Sequence, residues 1–242
     1  MSASSAPNAS TRYWAVVPAA GGGTRMGLLR PKQYLPLRGR TLLEWSLQPL
    51  LEAGWIDGVV VVLAKSDSEF AGLAVAGHPK IVLTTGGAAR ADSVLAGLAS
   101  VAVRAKGFTD VRVLVHDAAR PCLEASALER LREECGLPHG GLLALPCTDT
   151  LKRAKGNKVV ETVDRAFYWR AQTPQLFPLK LLSAALQECR SRDLEVTDEA
   201  SAMERAGYKP RLVRGHESNL KVTYPEDLAL AEFWLSRRER GA

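Results

Sequence analysis

The chain has 242 residues, 46% of them apolar and 24% charged, which is enough to bury the core of one α/β domain. Its formal net charge of +6 belongs to one segment: Arg12, Arg25, Arg30, Lys32, Arg38 and Arg40 all precede the first acidic residue, and without those six, 26 basic residues face 26 acidic ones. So local an excess suits a site for a small polyanion and argues against a long basic stripe that tracks nucleic acid.

Residues 1–13, MSASSAPNASTRY, are small and polar with no apolar stretch of the secretory type, and predict a disordered tail ahead of a single domain over 14–242. From Trp14 onward, short β-branched runs alternate with helical stretches. They are WAVVP, a helix near Thr41–Ala53, GVVVVLA, a second helix, KIVLTT, a helix near Ala91–Val103, and VRVLVHD. Such alternation means βαβ units and a mostly parallel, Rossmann-like sheet, and strands that are apolar throughout belong to a sheet covered on both faces. The longest apolar run, VVVVLA, is far too short to cross a bilayer, so no membrane insertion is expected. After GLLALP the rhythm changes. TLKRA and VVETV flank KGNK, which predicts a β-hairpin turning at Gly156-Asn157, an arm over about 148–173 with little core of its own. The chain closes with NLKVT as a short strand and a helix opened by Pro225, with acids in its first turn, arginines in its last, and Leu228, Leu230, Ala231 and Trp234 on the inner side. Cys122, Cys135, Cys147 and Cys189 form no C-x-x-C pair and have no histidine at metal-ligand spacing, which fits reduced thiols in a cytoplasmic protein.

The stretch VVPAAGGGTRMGLLRPKQYL leaves a strand through three glycines and then presents Arg25, Arg30 and Lys32. It lacks the G-x-x-x-x-G-K-[ST] of a P-loop. It also departs from the dinucleotide fingerprint, because Met26 holds the third glycine position. A glycine turn with exposed N–H groups and nearby cations suits a triphosphate, although a glycine turn after a strand is also an ordinary tight turn. Gly86-Gly87 allows close backbone approach to a small base, with Asp92 or Ser93 as a plain helix cap in the alternative. Asp117, at the end of VLVHD, stands where open α/β sheets carry ligand chemistry, and Arg120 follows as an anion partner.

Six separated segments carry a family resemblance in order and spacing: PAAGGGTRMG…PKQYLPLRGRTLLEWSL, GGAARADSVLAGL, VLVHDAARPCL, VDRAFYWRAQTPQLF, TDEASAME and NLKVTYPEDLALAE. Together they resemble the 2-C-methyl-D-erythritol 4-phosphate cytidylyltransferases of the non-mevalonate isoprenoid pathway. The ribitol 5-phosphate cytidylyltransferases share the glycine loop and Pro-Lys-Gln but differ around His116–Pro121. A catalytically silent nucleotide-binding module is a third reading.

The resemblance implies a nucleotidyltransferase sheet and transfer of CMP from CTP to methylerythritol phosphate, with pyrophosphate leaving. It implies a triphosphate over Ala19, Ala20, Gly21, Gly22 and Gly23, with Arg25 and Lys32 on its phosphates and Lys221 on the α-phosphate. Cytidine would lie by Gly87, Arg90, Ala91 and Ser93. The acceptor would meet Asp117, Arg120, Thr173 and Thr197, together with Thr150 and Arg165 on the arm of a neighbouring subunit in a homodimer, with Phe167–Trp169 at that interface or in the core. By analogy with nucleotide-sugar pyrophosphorylases, Mg²⁺ would be held by Asp117 and Asn219, whose oxygens are hard ligands. His116 is expected to be structural.

Overall fold

A computed structural model describes residues 11–21, 30–136 and 138–240. Four parallel strands form the half of the sheet that carries the cleft: β1 (Arg12–Pro18), β4 (Ile56–Leu63), β5 (Ile81–Thr85) and β6 (Val111–Val115). Two short strands, β2 (Pro36–Leu37) and β3 (Arg40–Thr41), pair between β1 and β4. The other half holds β7 (Gly141–Pro146), β10 (Trp169–Pro178) and β11 (Arg211–Arg214). The seven strands run in the order β11-β7-β10-β6-β1-β4-β5, with β10 antiparallel to both of its neighbours. From β1 the chain goes to β4 and β5 on one side, then crosses back to β6 on the other. The carboxyl ends of β1 and β6 therefore flank a topological switch point, where open α/β sheets bind ligands.

The apolar strands are buried on both faces. Ala15, Val17, Val59, Val61 and Leu114 enter one core cluster, whereas Val16, Val60, Val62, Val113 and Val115 enter the other. That is why these strands read as continuous runs and not as alternating ones. Helix α1 (Leu42–Glu52) starts at a capping box: Thr41 Oγ1 accepts the Glu44 N–H at 3.2 Å, and the Glu44 carboxylate accepts the Thr41 N–H at 2.8 Å. Helix α2 (Arg90–Arg104) packs so closely on β1 that a Cβ on Gly97 would lie 2.4 Å from Val16. Helices α3 (Ala125–Glu134), α4 (Leu179–Ser191) and α5 (Glu199–Arg205) complete the layers. A third apolar cluster joins Leu37, Leu42 and Trp45 to Val222, Ala231 and Leu235. It docks α6 (Glu226–Arg240), and the loop before it, against α1.

The structure departs from four of the sequence expectations. Arg12 and Tyr13, assigned to the tail, already belong to β1, where Arg12 pairs with Asp57 at 2.8 Å. The helix expected between β4 and β5 is replaced by two 3-10 turns, Phe70–Gly72 and Ala74–Gly77, each ending in a glycine, with the Asp67 carboxylate accepting the N–H groups of Glu69 and Phe70. NLKVT is not a strand, because its backbone goes to a loop: the Val222 N–H donates to Ala119 O at 2.9 Å. In α6, Leu230 points outward at 47% exposure, while Leu235 takes an inner place. Among the described residues no helix is long and apolar enough to cross a membrane.

The arm forms its own two-stranded sheet, β8 (Leu151–Lys155) with β9 (Lys158–Val163), turning at Gly156-Asn157 with Gly156 at φ +60°. Nearly all its side chains are exposed, as are Phe167 at 82%, Tyr168 and Trp169, which excludes core packing for that aromatic run within this chain.

Candidate active site

A cleft of about 360 Å³ opens at the carboxyl ends of β1, β5 and β6. Pro18–Gly21 form one side of its floor and Gly87–Ala89 the other. The extended exit of β1 is held by two bonds: the Ala19 N–H donates to Val62 O at 2.8 Å, and the buried Gln33 amide donates to Ala19 O at 2.7 Å. A Cβ on Gly86 would lie 2.6 Å from Ser93 Oγ and 2.8 Å from the Ala20 Cβ, and one on Gly87 2.5 Å from the Asp92 Cβ. The glycine pair is thus what lets three chain segments converge. The Asp92 carboxylate accepts the Ala89 N–H at 3.3 Å, so the cap expected of it coexists with the cleft.

Cationic groups reach this floor from three parts of the chain. Lys32 lies in a 3-10 turn (Lys32–Tyr34), and its Nζ donates to Val222 O at 2.8 Å. The turn is pinned by Tyr34, fully buried, whose hydroxyl donates to Asp67 at 2.6 Å; burial and that carboxylate both hold the phenol protonated. Arg30, grouped with Lys32 in the sequence, instead pairs with Glu69. Lys221 comes from the loop before α6, and Arg90 from the first position of α2.

Asp117 is the one carboxylate among the described residues that line the cleft, and three cations surround it. Lys221 Nζ lies 3.0 Å from Oδ2, Arg120 Nε 3.3 Å from Oδ2, and Arg90 Nη2 3.3 Å from Oδ1. Burial works to raise its pKa, but Arg90, Lys221 and Arg120 outweigh it and hold the acid well below the usual carboxylate range. Burial likewise works against the charge on Arg90, yet Glu199 and Asp117 keep that guanidinium firmly protonated. Arg120 is buried behind Asp117 and donates to Asn219 O at 2.7 Å.

Of the residues expected at the site, Ala19, Ala20, Gly21, Lys32, Gly87, Arg90, Ser93, Asp117 and Lys221 line the cleft. Ala91 follows Arg90 in α2 without lining it, and Gly22, Gly23 and Arg25 lie outside the described residues. Thr173 sits behind Asp117, its Oγ1 accepting the Asp117 N–H at 3.0 Å and contacting His116 Nδ1 at 2.9 Å. Thr197 is exposed just before α5. Thr150 and Arg165 flank the base of the arm and do not line their own chain's cleft; Arg165 donates to the carbonyl of Thr148.

His116 is fully buried, and burial pushes its pKa down to about 4, as befits a neutral structural group. Asn219 is fully buried too; its Nδ2 donates to Thr173 O at 2.7 Å, and its Oδ1 is closed off from solvent with no hydrogen-bond partner. Asp117 and Asn219 therefore form no ready cation cage, and no group of three or more His, Cys, Asp or Glu among the described residues does so. Of the two residues expected to hold Mg²⁺, Asp117 lines the cleft and offers a carboxylate, whereas Asn219 is closed off behind it.

Sequence reasoning missed Gln33 and Glu199. The signal for Gln33 was its place beside Lys32 in a turn next to the glycine loop. Glu199 gave none, since its partner Arg90 is 109 residues away.

The 2-C-methyl-D-erythritol 4-phosphate cytidylyltransferase family model matches residues 13–237. A relative of that name from Pseudomonas putida (strain GB-1) is 52% identical over 235 residues, covering 96% of this chain and 99% of the relative. Another, from Photorhabdus laumondii, is 48% identical and covers 93% of this chain and 95% of its own. The crystal structure of a 4-diphosphocytidyl-2C-methyl-D-erythritol synthase superposes with a TM-score of 0.80 at 37% identity, covering 93% of this chain and 98% of that one. The Francisella tularensis 2-C-methyl-D-erythritol 4-phosphate cytidylyltransferase gives 0.78 at 34% identity, covering 93% and 100%. With a family model that matches nearly the whole chain, relatives about half identical in sequence and a shared fold, this chain belongs to the 2-C-methyl-D-erythritol 4-phosphate cytidylyltransferase family.

Proposed function

We propose that this chain transfers the cytidylyl group of CTP to 2-C-methyl-D-erythritol 4-phosphate, giving 4-diphosphocytidyl-2-C-methyl-D-erythritol and pyrophosphate in isoprenoid precursor synthesis. The observation that carries the reading is the convergence of Lys32 and Lys221, from opposite ends of the chain, on a cleft with one carboxylate, Asp117, among its described lining residues. An oxygen of the acceptor phosphate attacks the α-phosphorus; the new P–O bond forms as the bond to the β-phosphate oxygen breaks, and pyrophosphate departs in line. A phosphate monoester has its second pKa near about 6, so the nucleophile is mostly dianionic at neutral pH and no general base is required. What the site must do is hold two polyanions together and neutralise charge growing on the α-phosphate and leaving group.

Lys32 and Lys221 are the described cations for that task, with Arg25 assigned to it by family resemblance alone. Gly87 and Ser93 face the cytosine, Arg90 borders that side of the pocket, and Ala91 is assigned to it by family resemblance alone. Asp117, Arg120, Thr173 and Thr197 serve the acceptor. Mg²⁺, when bound with the nucleotide, supplies further neutralisation of the phosphates, and Asp117 is the residue that would hold it from the protein side. The exposed apolar groups on and beside the arm, Val159, Val160 and Phe167, support a homodimer in which Thr150 and Arg165 complete the partner's site. A cytoplasmic location is part of this proposal, and the free cysteines Cys122, Cys135, Cys147 and Cys189 are in keeping with it.

Pyrophosphate release from CTP, measured with methylerythritol phosphate and ribitol 5-phosphate side by side, tests the reading. Turnover with the first acceptor supports it. Turnover with ribitol phosphate alone moves the chain to the sister activity, and CTP binding without turnover on either leaves a silent nucleotide module.

A further inference from the structure

Glu199 has no place in the cleft, yet its carboxylate is almost fully buried, at 1% exposure, and points at a residue that lines it. It grips Arg90 with both oxygens, Nη1 to Oε1 at 2.6 Å and Nη2 to Oε2 at 3.2 Å. The same Nη2 reaches Asp117 with one longer contact, at 3.3 Å. Arg90 is thus shared unequally, two-pronged toward α5 and one-pronged toward the cleft. A guanidinium prefers two parallel bonds to one carboxylate, so without Glu199 it has a better geometry available on Asp117 than the one it adopts. A buried ion pair adds little net stability over apolar packing, so stability is a weak reason for its presence at the edge of a cleft.

We propose that Glu199 is a positioning residue: by holding Arg90 from the α5 side, it keeps that guanidinium from closing on both oxygens of Asp117 and leaves the carboxylate turned to the cleft, where nucleotide and acceptor meet. The proposal rests on the reading of the cleft as a CTP site. Glu199→Gln keeps size and shape but loses the charge that competes for Arg90. Asp117→Asn removes the group over which the competition takes place.

The experiment is a double-mutant cycle read as CTP affinity by calorimetry at 25 °C, with circular dichroism and urea unfolding run on each protein. Each single substitution is expected to weaken CTP binding about tenfold, and the double variant to bind no more weakly than Asp117→Asn alone, because contacts acting through one group are not additive. Should Glu199→Gln fail to fold, Glu199→Met, which also lacks the charge, takes its place in the same cycle. A lowered urea midpoint with unchanged CTP affinity would make Glu199 a purely structural pair and overturn the proposal, as would two losses that multiply to about a hundredfold. A wild-type chain that binds no CTP sinks the nucleotide reading itself, whereas normal wild-type binding with an unaffected Glu199→Gln sinks only the role of Glu199.

Discussion

Lys32→Ala separates a catalytic cation from a structural tether, because the structure gives this lysine both opportunities. Its Nζ donates to Val222 O at 2.8 Å, linking the turn after the glycine loop to the loop that carries Lys221. The turn itself does not depend on that bond, since Gln33 holds Ala19 O and Tyr34 holds Asp67. Loss of one bond from a charged donor costs about 1.5–3 kcal/mol when buried; here Lys32 is half-buried and water can replace it, so about 1 kcal/mol of stability should go. The effect on chemistry should be much larger. Removing one group that stabilises transition-state charge lowers turnover by about 10² to 10³, equivalent to about 2.7–4 kcal/mol. Pyrophosphate release under saturating CTP and acceptor, set beside urea unfolding of the same preparation, reads both quantities. A variant with a lowered unfolding midpoint and unchanged turnover would refute the reasoning and reduce Lys32 to a link between two loops.

Other consequences are as direct. His116 is neutral and buried with its pKa near about 4, against about 6.5 in an unfolded chain; its contribution is complete above pH 6.5 and disappears as pH falls toward 4, at a cost of about 3 kcal/mol. Urea unfolding at pH 7 and 4.5 should show that loss in the wild type and a flatter response in His116→Gln, and equal slopes would remove His116 as its source. CTP should be strongly preferred over UTP in competition assays, because a pocket that reads the base by hydrogen bonds around Gly87 and Ser93 leaves a group unpaired against the wrong base edge; equal use would show that the pocket does not read cytosine. Mixed Lys32→Ala and Arg165→Ala subunits should recover about half of wild-type activity per heterodimer, because one composite site carries both lesions and the other neither. Heterodimers that form but stay at the parental sum would confine Arg165 to its own chain.

Where structure is local, it was legible. The apolar runs of β1, β4, β5 and β6, the Thr41–Glu44 box and the Gly156 turn each carry their cause within a few residues. The 65–79 segment misled because helix-compatible residues are cut by Gly72, Gly77 and Pro79, and a 3-10 turn needs fewer consecutive residues than a helix. NLKVT has the β-branched look of a strand, but Val222 is held by Ala119 and Lys32, both far away in sequence. Asp117, at the end of a strand, and Arg90, at the start of a helix, line the cleft as their positions suggest, while Lys32 and Lys221 reach it from a turn and a loop. Pairings at long range, such as Arg30 with Glu69 or Arg90 with Glu199, leave no local trace.

Those same pairings change what the basic amino-terminal segment means. Of its six cations, Arg12 is matched by Asp57, Arg30 by Glu69 and Arg38 by Glu239, while Arg40 stacks on Trp45 and donates to Gln48. Lys32 is the described member of the six that lines the cleft, and the other lining cations, Arg90 and Lys221, come from segments that are balanced in charge. Among the described residues, the field at the site is therefore assembled by the fold from three distant places, with Lys32 as the contribution of the run of cations near the start of the chain. A site built this way acts over a few ångströms, with Asp117 as its internal counter-charge, which suits the holding of a compact phosphate group more than the long-range steering of a polyanion.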